Sequence, residues 1–104
     1  MTLPDFHNSL KSYIPETYEL TAPANVRRYV VWHIYGRHPL YGDNRNAMDV
    51  PKVQIDIVTD QYPDTLADDV TAALFLLGLS YSIQSEGYDH DYNAYRTILQ
   101  LEVV

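Results

Sequence analysis

Apolar and polar residues alternate through Val53-Gln54-Ile55-Asp56-Ile57, and again through Tyr95-Arg96-Thr97-Ile98-Leu99-Gln100-Leu101. A period of two sends successive side chains to opposite faces, so both stretches predict strands. Between them the period changes. Leu66, Val70, Ala73, Leu74 and Leu77 form one stripe at helical spacing, which predicts a helix over residues 64–77. Asp64, Asp68 and Asp69 gather at its start, where the macrodipole favours negative charge. Gly78 supplies the C-terminal stop.

The remaining elements fall around this core. Pro4 to Tyr13 predicts a short helix ended by Pro15, with Phe6, Leu10 and Ile14 near helical spacing. Glu16 to Leu20 reads as a short extended piece with Tyr18 inward, and residues 21–25 as a turn. Arg28 to Tyr35 is apolar on both faces, as in a central strand, and Gly36 ends it. Arg37 to Asp49 then predicts a long polar loop, a place where function or mobility concentrates. Val50 to Thr59 is the next strand, and Asp60 to Pro63 turns the chain. After the helix, Leu79 to Glu86 predicts a strand with Leu79, Tyr81 and Ile83 inward. A turn at Gly87-Tyr88-Asp89-His90-Asp91 leads into a final strand, Tyr92 to Val104, and completes a hairpin.

The expected fold class is therefore α+β. A mostly antiparallel four-stranded sheet is packed by one long helix, about 64–77, in a single domain, 1–104. The short N-terminal helix shares that face or caps an edge.

Ten tyrosines against two phenylalanines is the compositional skew. Tyrosine suits half-buried surfaces and contact sites, but it also simply favours strands. Seven basic residues against fourteen acidic ones give a formal charge of −7, which argues against coating a nucleic acid. With no cysteine there is neither a disulfide frame nor a thiol nucleophile. No apolar run approaches membrane-spanning length, and Met1-Thr2-Leu3-Pro4-Asp5 lacks the regions of a secretory signal. The expectation is a soluble intracellular product.

Reaction chemistry finds little support. His7, His33, His38 and His90 are scattered, and the four glycines are too dispersed to cradle a phosphate. Asp89-His90-Asp91 is the one tight polar cluster, but three adjacent residues cannot surround a hard cation. Asp68 and Asp69 are neighbours on a helix and point about 100° apart, so they do not share a proton. No catalytic residue, metal or cofactor is expected.

Contact is the better-supported theme. Phe75 lies opposite the apolar stripe of its helix, beside Asp68, Thr71 and Ala72. Val30, Trp32 and Ile34 face opposite to Tyr29, Val31 and Tyr35. One long helix covers only part of one sheet face, so the other apolar face needs a cover from the N-terminal segment or from another subunit.

These residues, in this order, carry a resemblance. The motifs are Pro15-Glu16-Thr17-Tyr18-Glu19, the strand Arg28–Tyr35, the loop Tyr41-Gly42-Asp43-Asn44, Val53–Ile57, the helix with Gly78, and the closing Tyr95–Leu101. From about Ile14 to Val104 the chain resembles the small tail-completion and minor tail proteins of long-tailed bacteriophages and prophages. The likeness is to an order of elements more than to invariant residues. It implies a structural, non-enzymatic subunit that joins heads to tails or ends tail tubes, often as a ring. Its partners would be itself and other virion proteins, with no nucleic acid or membrane. Its place would be the bacterial host's cytoplasm during assembly, and then the virion. The loop around Asp43 and Asn44 resembles that family's contact loop. The candidate interface residues are Trp32, Tyr41, Asp43, Asn44, Arg45, Phe75, Tyr88 and His90.

Two other readings compete. Five carboxylates between Asp56 and Asp69 suggest an acidic module that sequesters a basic protein partner. A small metal-dependent enzyme using His90 and its flanking aspartates has the weakest support.

Overall fold

The first helix begins where the Thr2 hydroxyl accepts the Asp5 N–H at 3.1 Å, with Pro4 in the first turn where no N–H is needed. The computed structural model describes residues 1–39 and 49–104. The elements follow as α1 (Leu3–Tyr13), β1 (Thr17–Glu19), β2 (Arg28–Pro39), β3 (Asp49–Thr59), α2 (Leu66–Leu76), β4 (Tyr81–Asp89) and β5 (Ala94–Glu102). The class is α+β, and the sheet is five-stranded and mixed, in the order β1-β2-β3-β5-β4. This corrects the expectation of four strands. The fifth, β1, pairs parallel to β2, with Thr17 opposite Val30. That register buries Thr17 rather than Tyr18, and the Thr17 hydroxyl donates to the Ile14 carbonyl at 2.7 Å.

Other boundaries shift for local reasons. β2 runs past Tyr35 to Pro39, because the ladder to β3 skips Tyr35 in an irregularity and resumes with Gly36 opposite Lys52. The expected loop 37–49 thus contributes its first residues to β2 and Asp49 to β3. The hairpin turn lies after Asp89 rather than at Gly87, and Asn93 takes the positive φ of 51° that the turn requires. The long helix is shorter than 64–77: α2 starts at Leu66, and Asp64 stands before it with its carboxylate accepting the Leu66 N–H at 3.0 Å.

The end of α2 follows its sequence signal. Gly78 has φ +73°, its N–H donates to the Phe75 carbonyl at 3.0 Å, and the Leu79 N–H donates to the Leu74 carbonyl at 2.9 Å. These two bonds form a Schellman motif, which needs a residue that tolerates the left-handed region.

Both helices lie on one face of the sheet. Phe6 and Leu10 of α1 and Leu66, Val70, Ala73 and Leu74 of α2 join Val30, Trp32, Val53, Ile55, Ile57, Leu99 and Leu101 in one buried cluster. Trp32 is 2 % exposed. Its indole N–H donates to His7 Nδ1 at 3.0 Å, and Phe6 meets it edge-to-face at 5.3 Å. Trp32 therefore offers no outer surface, which corrects its place among the interface candidates. Its cover is α1 of the same chain.

The opposite face is not an open apolar wall either. Val31 and Val58 are buried, and residues 20–26 border them in a shallow depression. Tyr29 and Ile98 are half-buried there, and the rest of that face carries hydrogen-bonded polar groups. Gln100 donates to Gln54, and Arg96 bridges Asp56 at 2.6 Å and Asp89 at 3.2 Å under the Tyr92 ring.

Two phenylalanines in such different settings give a direct test. Phe6→Ala should lower the unfolding free energy by about 3–5 kcal/mol, since it empties a fully buried site beneath α1. Phe75→Ala should change it by about 0.5 kcal/mol or less, since that ring stands in solvent. Denaturant curves followed by Trp32 emission measure both.

Candidate functional site

Among the described residues, the expected interface residues do not converge. Tyr41, Asp43, Asn44 and Arg45 lie outside the described residues. Phe75 is 81 % exposed on the outer side of α2. Tyr88 and His90 sit at the far tip of the β4–β5 hairpin. There the Tyr88 ring packs edge-on against Tyr95 and His90, and its hydroxyl donates to Asn93. Phe75 instead keeps company with Tyr81, at the opposite end of β4, where the two line one depression of about 450 Å³. Tyr81 and Tyr88 are seven strand residues apart, roughly 23 Å.

The residues that do gather with Phe75 were expected to be buried. Tyr81 and Ile83 share the helix-side face of the sheet, because they pair with Leu101 and Leu99 of the core. Yet Tyr81 is 39 % and Ile83 52 % exposed. The physical reason is position. β4 is the last strand of the sheet, and the helices pack over β2, β3 and β5. Alternation showed which way Tyr81 and Ile83 point, but not that the described residues leave them only partly covered. With Phe75 across the depression from Tyr81, these side chains leave apolar surface exposed near the start of β4.

The two sheet edges differ in their backbone. At β1 the outward carbonyls are already occupied: Lys11 Nζ donates to Thr17 O at 3.3 Å, and the Thr21 N–H donates to Glu19 O at 2.8 Å. β4 has β5 as its one strand neighbour, and among the described residues no turn or loop backbone group bonds to the backbone of residues 81–89. In an antiparallel pair, alternate residues direct their N–H and C=O groups away from the partner strand. β4 thus presents an open ladder nine residues long. A bulge between Ile83 and Ser85 divides it into an uncharged first half and a second half carrying Glu86 and Asp89.

A second feature lies on the helix side near the other end of β4. A groove of about 310 Å³ is walled by the stacked rings of Tyr62 and Tyr95, 4.8 Å apart, with Asp68 and Glu86 on its rim. Asp64 lies at its inner end and is a structural group. Its carboxylate accepts from Arg28 Nε at 2.9 Å, Arg28 Nη2 at 3.0 Å, Thr59 Oγ1 at 2.5 Å and the Leu66 N–H at 3.0 Å. Arg28 also approaches Glu16 at 3.7 Å. The Arg28 hydrogen bond, helped by Thr59 and Leu66 and opposed by burial, holds the Asp64 carboxyl down from 3.8 to about 2.

The histidines serve separate surroundings. His7 accepts the Trp32 indole, His33 is half-buried on the polar face beside Gln54, and His90 is exposed at the hairpin tip. Asp89, next to His90, is occupied within the chain: it accepts the Asp91 and Tyr92 N–H groups and bridges Arg96. Partial burial pushes its carboxyl up, but these bonds outweigh that and leave it below the usual carboxylate range. Among the described residues, no three His, Asp or Glu side chains are grouped as a cation would need, and no helix is long and apolar enough to cross a membrane.

A scan against protein-family models finds no match to this chain, and a search of curated proteins finds no similar one.

The Asp64 clamp has a signed pH signature. Asp64→Asn keeps the shape but removes the charge, and should cost about 3 kcal/mol of stability near neutral pH. The folded-state value lies below the ordinary one, so the ionised carboxylate stabilises the fold fully above 3.8. That stabilisation is lost as pH falls through about 2. Urea curves should show the gap between Asp64→Asn and the parent protein narrowing over that acid range. A gap independent of pH would contradict the assignment.

Proposed function

We propose that this chain is a structural, non-enzymatic subunit of a phage or prophage particle, a tail-completion, tail-terminator or minor tail protein that works through oligomeric contacts. The observation that carries the reading is the exposed apolar surface of Phe75, Tyr81 and Ile83 beside an open strand edge. Burying one large apolar side chain is worth roughly 1.5–3 kcal/mol, so the three together favour a partner over water. The particle setting comes from the order of elements that resembles small tail proteins. In that setting the subunit contacts copies of itself, in a ring or a smaller oligomer, and other virion proteins. It works in the host cytoplasm during assembly and then in the virion. The mechanism is geometric: a rigid sheet holds contact residues at fixed positions, and no bond is made or broken.

A second reading has its own observation. Asp68 and Glu86 at the tyrosine groove form no ion pair among the described residues, and the chain carries a formal charge of −7. An acidic module that captures a basic protein would use that groove. Its signature is a one-to-one complex that weakens steeply with salt.

Phe75→Asp should impair particle assembly in cells that supply the other virion proteins, while leaving the circular-dichroism spectrum and melting temperature of the purified protein nearly unchanged. Deletion of residues 43–46 should do the same. Normal particle yield with both changes would reject these contact sites.

A further inference from the structure

The tyrosine groove and the depression beside Phe75 are neighbours along one flank of α2, and Asp68 lines both. Asp68 and Phe75 are seven residues apart, so they stand on the same side of the helix, about 10 Å from each other along its axis. β4 supplies the facing wall, with Glu86 in the groove and Tyr81 in the depression. The result is one trough between α2 and β4, aromatic and acidic at one end and apolar at the other.

Its charges make it selective. The guanidinium groups around it are engaged within the chain: Arg28 by Asp64 and Glu16, Arg96 by Asp56 and Asp89. Asp68 and Glu86 form no ion pair among the described residues. The dipole of α2 accounts for an acid at Asp68. It does not account for Glu86, which comes from a different element and lines the same groove. Beside these two carboxylates stands the exposed ring of Tyr62, stacked on Tyr95. A guanidinium lies flat against an aromatic ring and donates from its edge to carboxylates, so this donor-poor, ring-walled groove matches an arginine. A hard metal ion fits worse, since it wants more oxygens than the two free carboxylates bring. A second copy of this chain also fits worse, because two bodies of charge −7 repel. At about 310 Å³ the groove is at the small end of ligand pockets, a size for one side chain.

We propose that the trough binds a basic segment of a partner protein, with one arginine against Tyr62 between Asp68 and Glu86. A large apolar side chain of the same segment, about 10 Å along, meets Phe75 and Tyr81. This deepens the reading of the chain as an acidic module that captures a basic protein, and rests on it.

The probe is a capped tetrapeptide of arginine, two prolines and leucine, in either order. A polyproline helix has three residues per turn and rises about 3.1 Å per residue, so its first and fourth side chains share one side at nearly the required spacing. Amide chemical-shift titration should place the peptide at Asp68, Glu86 and Tyr95, and added salt should weaken it. Asp68→Asn combined with Glu86→Gln should raise its Kd roughly fivefold or more, and Tyr62→Leu about threefold. All three side chains are largely outside the core, so the melting curves of these variants should stay close to the parent's. Citrulline in place of arginine keeps the shape without the charge and should remove most of the shifts. Equal shifts with citrulline, or a Kd indifferent to the paired acid substitution, would overturn the site. A peptide of nine arginines tests the broader reading separately. Its salt-dependent binding, unchanged by the groove substitutions, would sink this site and leave capture of a basic protein standing. Failure of both peptides to bind would sink both.

Discussion

The carboxylate of Asp64 decides where the second helix lies. It binds Arg28 at the start of β2, Thr59 at the end of β3 and the first N–H of α2, and through Arg28 it reaches toward Glu16 before β1. Two stretches distant in sequence, Arg28 and residues 59–66, thus meet at one group. A charge this well surrounded costs several kcal/mol to leave unpaired, so the junction tolerates little rearrangement. With its origin pinned there, α2 runs beside α1 over the middle of the sheet and ends at the Gly78 motif. Among the described residues β4 is left only partly covered. The exposed apolar surface is therefore a product of the same geometry that completes the core.

The sequence made the parts of this arrangement visible unevenly. The stripe Leu66-Val70-Ala73-Leu74 and the Gly78 stop were legible, because helical period and C-terminal chemistry are local properties. So was the alternation of β3 and β5, which sends Val53, Ile55, Ile57, Leu99 and Leu101 into the core. β1 was read as an extended piece but not as a strand, since three residues show no period and a parallel pair is made by the rest of the chain. Trp32 was misplaced because a strand apolar on both faces does not say which face a helix will take. Its partner His7 lies twenty-five residues earlier and carries no local sign of the bond. Tyr81 and Ile83 were given the right face and the wrong cover, because whether a strand is central or terminal is a property of the whole sheet.

Among the described candidate residues, the exposure of Phe75 was legible, as an aromatic on the polar side of an amphipathic helix. The hairpin pair Tyr88 and His90 proves to belong to a separate aromatic group with Tyr95 and Tyr62. The distance between the two places divides the surface into an apolar region near the start of β4 and an aromatic, acid-rimmed groove near its end. The first suits permanent subunit contact, and the second suits a charged partner. These are different kinds of chemistry on one small body.

The plugging of β1 has one more consequence. Sheets with two vacant margins can add protomers without limit, which is how fibrils elongate. Here Lys11 and the backbone at Thr21 occupy both outward carbonyls of β1, which makes that margin a poorer template than β4 for an added strand.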